Sequence, residues 1–256
     1  MPAGHRMGSC CRTSSMSGME VLNVTSLTKT YGNGGNMVYA LKNACLRVTQ
    51  GEFVAVVGTS GSGKSTFLNL IGGLDAPDSG RIVISGRDIC GLRRRERTIF
   101  RRRNIGFIFQ NYSLMPVLNV YDNVALPVSF DRGQKIDHDY IRALLSDLGL
   151  WEKRLKYPSE LSGGQQQRTA IARALANTPA MILADEPTGN LDSRTTSEVM
   201  GLLKNSARKY NQTILMVTHN EILANSSDRI IRIEDGVLWE EGEKNAEAGV
   251  SIDLLP

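Results

Sequence analysis

The run Gly58-Thr59-Ser60-Gly61-Ser62-Gly63-Lys64-Ser65-Thr66 places three glycines just ahead of a lysine and two hydroxyls. Glycine lets successive backbone N–H groups turn toward one anion, and a helix opening at Lys64 would add the positive end of its dipole. Lys64 would bring a mobile charge to a phosphate, and Ser65 a hydroxyl to a divalent cation. Gly58, Ser60, Gly61, Gly63, Lys64, Ser65 and Thr66 are therefore the candidate phosphate-binding residues. Further on, Asp185 and Glu186 follow the buried-type run Met181-Ile182-Leu183-Ala184. An acid pair after a strand is in most chains a solvated turn, but beside a phosphate loop two carboxylates invite two roles. Asp185 suits the shell of a Mg²⁺ ion, through water, and Glu186 suits polarising a water for attack on a phosphoryl group.

A second glycine-rich segment, Leu161-Ser162-Gly163-Gly164-Gln165, precedes a helical pattern in which Ala170, Ile171, Ala174 and Leu175 form one face. Ser162 is a candidate N-cap, and its hydroxyl with the free N–H groups behind it is a second anion site. A single γ-phosphate is already served by the first loop. The simplest resolution is that Ser162, Gly163, Gly164 and Gln165 grip the nucleotide of another copy of the chain.

These segments need strands that end together. Phe53 to Val57 is a continuous apolar run typical of a strand buried on both faces, and Lys64 to Leu74 has helical spacing. Val21 to Leu27 and Tyr39 to Val48 read as an antiparallel hairpin layer around the turn cluster at 32–35. Arg81 to Ser85 and Ile105 to Gln110 read as further strands. From Val120 to Asn177 the pattern is helical, with Gly149 as a stop after Leu148, and Met181 to Ala184 and Thr213 to Val217 return to buried strands around a helix at 195–210. Alternating β and α elements with right-handed crossovers bring strand ends to one edge of a sheet.

With 256 residues, 41% hydrophobic and 22% charged, the chain can bury a substantial core as one domain with a subdomain. Its apolar runs fall far short of the roughly 20 residues a spanning helix requires, so a membrane role would act through a partner. A net charge of +4 is too small a surplus to single out nucleic acid, and no nucleic-acid partner is expected. Cysteines at 10, 11, 45 and 90 form no metal-binding or disulfide pattern, which suits a reducing cytoplasm. Residues 1–18 lack a secretory pattern. They read as a disordered leader or as the product of an upstream start codon with initiation at Met16 or Met19, the second being preferred.

Taken together, the motifs resemble those of an ATP-binding-cassette ATPase subunit, over about Val21 to Val237. The resemblance implies an α/β fold of the P-loop NTPase type, with a mixed-sheet core, an antiparallel β layer and an inserted α-helical subdomain at about 112–177. The cassette would span 20–240, ahead of a tail at 241–256. It also implies that Tyr31 stacks on adenine, that Gln110 senses Mg²⁺ and γ-phosphate, that Asp192 lies in a loop communicating across a dimer, and that His219 contacts the γ-phosphate. Metal contacts would fall to Ser65, Gln110 and Asp185. ATP and Mg²⁺ are the expected cofactors.

The segments 184–192, 107–116 and 123–127 resemble one branch in particular, which includes macrolide exporters, lipoprotein-release ATPases, bacitracin-type peptide exporters and a cell-division ATPase. That branch implies a head-to-tail dimer with a second copy, at the cytoplasmic face of the cell membrane. Its partner there would be an integral permease with a large extracytoplasmic domain. Asn111 to Val128 would then dock a permease helix, the alternative being subdomain core. The arginines at 93, 94, 95, 97, 101, 102 and 103 read first as a solvated helix, and second as charges facing the permease or an anionic leaflet. Rival readings are a regulatory ATPase at the division site and a soluble ATPase acting on ribosomes or DNA.

Overall fold

The computed structural model describes residues 18–32, 36–131, 133 and 135–240. The expected leader, Gly18 aside, the expected tail and residues 33–35 of the expected turn lie outside the described residues. In chain order the first half contains β1 (Glu20–Tyr31), β2 (Val38–Thr49), β3 (Phe53–Val57), α1 (Lys64–Ile71), β4 (Ser79–Ile84), β5 (Arg87–Asp88), α2 (Arg94–Asn104) and β6 (Ile105–Phe109). The second half contains α3 (Val120–Ser129), α4 (His138–Asp147), α5 (Gly163–Leu175), β7 (Met181–Asp185), α6 (Ser193–Lys209), β8 (Thr213–Thr218), α7 (Glu221–Ala224), β9 (Arg229–Glu234) and β10 (Val237–Glu240).

Two sheets result. One is antiparallel, in the order β2-β1-β4-β5, and the other is mixed, in the order β10-β9-β3-β8-β7-β6. In the second sheet β9, β3, β8, β7 and β6 run parallel, and β10 folds back on β9. All five residues of β3 are buried, and its side chains divide by alternation. Val54 and Val56 pack with Phe67, Leu68, Leu70 and Ile71 of α1 and with Leu22 and Val24 of β1. Phe53, Ala55 and Val57 face the opposite core, which holds Val124, Leu144, Ile171 and Leu203 of α3 to α6. Each such large side chain removed from water contributes about 1.5–3 kcal/mol before chain entropy is subtracted, so β3 is anchored from both faces.

Helix α1 ends at Ile71, short of the expected Leu74. The backbone reverses at Gly73, with φ of 62°, while Gly72 lies so close to the Phe107 ring that a Cβ there would approach it to 2.4 Å. The hairpin of β9 and β10, around Asp235-Gly236, has no counterpart in the sequence reading.

The arginine run is also corrected. It forms α2, with Phe100 its buried residue, but the last turn is not simply solvated. Arg101 donates to the Gly73 carbonyl at 2.9 Å and Arg102 to the Phe130 carbonyl at 2.6 Å. Arg103 makes a two-pronged contact with Asp131, whose side chain is only 2% exposed. The sheet-packed α2 is thereby bonded to the residues that follow α3, which fixes one flank of the helical subdomain. Hydrogen bonding from Arg103 holds the Asp131 carboxyl at about 2, below its ordinary value of 3.8. A depressed carboxylate stabilises the fold above its ordinary value and loses that contribution as pH falls through about 2. Asp131→Asn should therefore lower the melting temperature by several degrees at neutral pH. The difference from the parent protein should shrink steadily below pH 3.8 and vanish only below about pH 2, as read by thermal unfolding across that range.

Candidate active site

The parallel order fixes where the chemistry gathers. Val57, the last residue of β3, pairs with Thr218 at the end of β8, and Val217 pairs with Asp185 at the end of β7. Asp185 in turn pairs with Phe109, which precedes Gln110. The phosphate-type loop, His219, the two acids and Gln110 thus leave neighbouring strands at one sheet edge.

An open cleft of about 680 Å³ lies there, lined by Ser60, Gly61, Gly63, Lys64, Ser65, Thr66, Glu186 and His219 of the expected residues. Met37, Val38, Tyr39, Ala40, Lys42, Asp235 and Gly236 complete its wall. These last were missed in the sequence. Three of them, Met37, Val38 and Tyr39, are exposed large side chains where β2 begins, and only the position of β2 over the loop marks them. Asp235-Gly236 carried a signal that went unused, since that dipeptide is a hairpin turn.

The loop is built to receive an anion. Gly63 has φ of 108°, and a Cβ there would sit 2.3 Å from the Ala40 carbonyl oxygen, so both backbone conformation and space demand glycine. Helix α1 has no side-chain cap at this end, which leaves its first N–H groups to another partner. The Ser62 hydroxyl is buried without a hydrogen-bond partner among the described residues. The Lys64 ammonium donates to the Gly58 and Thr59 carbonyls at 2.8 and 2.7 Å, folding back on its own loop. Burial lowers its pKa, and the charges of Glu186 and Asp185 oppose that shift.

A divalent cation also fits. Ser65 donates to Asp185 at 3.4 Å, which sets a hydroxyl and a carboxylate side by side beneath the cleft. The Asp185 carboxyl is pushed up by burial and then by the charge of Glu186, a crowding that a cation would relieve. Glu186 itself has a left-handed backbone, φ 45°, that turns its carboxylate back toward β8. There Thr218 donates to it at 3.1 Å and His219 Nδ1 lies 2.7 Å away. An unusual conformation held at a carboxylate that lines a cleft is the form that stored strain takes at functional sites.

The remaining expected residues lie around the cleft rather than in its wall. The exposed Tyr31 donates its hydroxyl to Asp75 at 2.8 Å, with the Lys29 ammonium 5.1 Å from its ring centre. Gln110 donates to Asn190 at 3.4 Å. Asp192 caps α6, accepting from the Thr195 N–H at 3.0 Å and its hydroxyl at 2.7 Å. Ser162 caps α5 in a reciprocal box with Gln165, at 3.4 and 3.1 Å. Gly163 and Gly164 open that helix, Gly164 being buried close to Thr195. None of these four segments lines the cleft of its own chain.

A glycine-rich loop between a buried parallel strand and a helix, facing paired acids on a neighbouring strand, defines a P-loop α/β nucleoside triphosphatase. The antiparallel layer and the helical insertion narrow this to the ATP-binding cassette. Residues 41–189 match the ABC transporter family, and the chain belongs to that family. It is 40% identical to the bacitracin export ATP-binding protein BceA of Halalkalibacterium halodurans, covering 90% of this chain and 91% of that one. It is 44% identical to the macrolide export ATP-binding/permease protein MacB of Syntrophobacter fumaroxidans, covering 86% of this chain but only 31% of that longer protein. Among solved structures, the dimeric post-hydrolysis state of the ATP-binding cassette MJ0796 bound to ADP and Pi superposes with a TM-score of 0.76. That match is 42% identical and covers 86% of this chain and 98% of the other. The protein is an ATP-binding ATPase subunit of the ABC transporter family.

Gly63→Ala should lower nucleotide affinity about five- to 150-fold, since a strained left-handed residue costs on the order of 1–3 kcal/mol and tenfold is about 1.4. Titration with a fluorescent ATP analogue checks this, and unchanged affinity would show that β2 yields to the added methyl.

Proposed function

We propose that two copies of this chain close head to tail around two Mg-ATP molecules, and that closing and reopening pull on a membrane permease. The observation that carries this reading is the division of the anion sites. Ser162 and the N-terminus of α5 stand outside the cleft that holds Lys64 and Glu186, so a nucleotide in one chain's cleft needs a second chain to meet a Ser162. The dimeric form of the similar cassette supports it.

In this reading Lys64 exchanges its two loop carbonyls for the phosphates, and the N–H groups of Gly61 to Ser65 surround them. Ser65, Asp185 and Gln110 would hold Mg²⁺, which neutralises charge developing on the phosphates. Glu186 takes a proton from a water whose oxygen attacks the γ-phosphorus in line, the bond to the β–γ bridging oxygen breaks, and ADP leaves. His219, fixed by the Glu186 carboxylate, donates toward the γ-phosphoryl oxygens. Tyr31 is the platform for adenine, for which its exposed ring is suited.

Asn111 to Val128 divides between the two expectations made for it. Val120, Asn123, Val124, Ala125 and Val128 are buried and belong to the subdomain core. Ahead of them, Met115 and Val117 are 45% and 74% exposed, and the neighbouring Leu155 and Tyr157 are 67% and 48% exposed. The two stretches are joined where the Val120 and Tyr121 N–H groups donate to the Lys156 and Arg154 carbonyls, both at 2.9 Å. The buried Asn123 amide holds the first stretch in place, accepting from the Met115 N–H and donating to the Met115, Leu118 and Asn119 carbonyls. A rigid exposed apolar patch of this kind is a docking surface for a helix of the permease. We assign that partner the large extracytoplasmic domain typical of the branch the motifs resemble, the cassette working from the cytoplasmic face. The substrate class is peptide, lipid or antibiotic, moved outward. Relatives named for bacitracin and macrolide export support this.

Glu186→Gln should reduce turnover on the order of 10²–10⁴-fold, the range for loss of a general base, and should leave an ATP-bound dimer stable to gel filtration. Full turnover by that variant would contradict the assignment. Purified from membranes with Mg-ATP, the same variant should bring down a permease; ribosomes or DNA in its place would point to the soluble rival. Met115→Glu should abolish that co-purification while ATP-driven dimerisation persists.

A further inference from the structure

The loop leaving β6 is held in a conformation that its own residues disfavour. Tyr112 and Ser113 are consecutive non-glycine residues with φ of 59° and 49°, both in the left-handed region. What holds them is Arg173, near the C-terminal end of α5. Its Nη1 donates to the Ser113 carbonyl at 2.5 Å and its Nη2 to the Tyr112 carbonyl at 2.9 Å. This guanidinium is half-buried and, among the described residues, is not salt-bridged to a carboxylate. Burial lowers its pKa, as expected of a cation solvated mainly by backbone oxygens.

The same few residues touch two other parts of the machinery. Asn190, four residues past Glu186, accepts from the Gln110 amide and donates to the Gln110 carbonyl and to Asn111 Oδ1, each of the latter at 3.1 Å. The Tyr112 hydroxyl lies against Gly163 so closely that a Cβ there would approach it to 2.9 Å. Residues 110–113 therefore contact the segment behind Glu186 and the first residue of α5. Arg173 fastens them to that same helix roughly 15 Å further along, at 1.5 Å per residue.

We propose that Arg173 is a positioning residue that makes the two nucleotide sites of the dimer interdependent. By clamping the Tyr112 and Ser113 carbonyls to α5, it passes a displacement of Gln110 beside a subunit's own cleft to the Gly163 end of that helix, which closes over the other cleft. The proposal rests on the head-to-tail dimer, and on Arg rather than Lys at this position, because the guanidinium holds each carbonyl with its own nitrogen in a fixed planar fork, which a shorter lysine with one rotating ammonium does not reproduce. Loss of the fork would uncouple the sites without emptying either.

The test uses the whole chain with Arg173→Lys, alone and combined with Glu186→Gln. Binding of a fluorescent ATP analogue at protein concentrations too low for dimerisation should stay within about twofold of the parent, while the ATP concentration that half-dimerises the Glu186→Gln form rises about tenfold, a coupling of ordinary size. With Glu186 intact, the Hill coefficient of ATP hydrolysis should fall from near 2 toward 1, two being the upper bound for two sites. Adding Ser113→Gly should leave both readouts impaired, because glycine takes a left-handed φ at no steric cost but does not restore the tie to α5. A role confined to packing α5 would instead lower the melting temperature with cooperativity unchanged, and a role confined to holding the left-handed loop would be rescued by Ser113→Gly; either result overturns the proposal. If lysine at 173 prevents folding, Tyr112→Phe, which removes only the hydroxyl against Gly163, should give the same loss of cooperativity. A Glu186→Gln protein that stays monomeric in Mg-ATP removes the dimer itself, and the proposal with it. Dimerisation by Glu186→Gln that is insensitive to Arg173→Lys removes the proposal alone.

Discussion

The pairing of β3, β8, β7 and β6 in parallel is the constraint from which the site follows. Parallel strands point their C-terminal ends the same way, and in this order the phosphate-type loop, Thr218 and His219, the two acids and Gln110 leave adjacent strands. Shifting β8 by one residue would flip its side chains and draw Thr218 and His219 away from Glu186. The register is held because β3, β8 and most of β7 are buried, with alternate side chains committed to two different cores. Stability and chemistry are thus set by the same hydrogen bonds. The residues that line the cleft contribute little to the core, and the residues of the core determine where they stand.

Within that frame the site is electrostatically incomplete by itself. Lys64 is buried and, among the described residues, hydrogen-bonded to its own loop, Asp185 is pushed up by burial and by Glu186, and α1 begins without a side-chain cap. Each of these groups lacks what Mg-ATP would provide: anionic oxygens for the ammonium and the N–H groups, and a cation for the crowded carboxylates. Glu186 is the exception. Thr218 and His219 hold its carboxylate in place without any ligand, so the group assigned to water is preorganised while the groups assigned to the phosphates are not.

Much of this was legible in the sequence because it depends on local chemistry. The glycine spacing from Gly58 to Gly63, the buried runs at 53–57 and 181–184 and the cap at Ser162 each announce their own geometry. What escaped depends on where distant segments meet. Nothing near Tyr39 or Lys42 shows that β2 forms a wall of the cleft, because that placement comes from a second sheet packing over α1. The arginines of α2 looked solvated because their partners, Asp131 and the Gly73 and Phe130 carbonyls, lie on other elements. Asn111 to Val128 looked uniform in its apolar content, and only the fold separates the exposed Met115 and Val117 from the buried Val120 and Val124.

The same distinction explains why the helical subdomain can serve as a lever. It is not simply an appendage on α3 to α5. Arg103 ties it to α2 through Asp131, and on another side Lys209 and Tyr210, at the end of α6, both donate to Asp147 of α4 at 2.5 Å. Tyr140 of α4 adds a bond to the Leu175 carbonyl at the end of α5. These contacts fix its base, while the end bearing Ser162 and Gly163 meets the loop at 110–113 through the Tyr112 hydroxyl and the start of the α6 region through Leu191 and Thr195. A body fastened at its base and held at its tip by these few contacts can tilt without unfolding. Packed elements of this kind move between discrete arrangements rather than deforming continuously. The loop that guides the tip begins at Gln110 and leads directly into the exposed Met115 and Val117. The rim of the cleft, the Ser162 end of α5 and the apolar patch therefore share one short stretch of backbone, which gives motion at one of them a route to the other two.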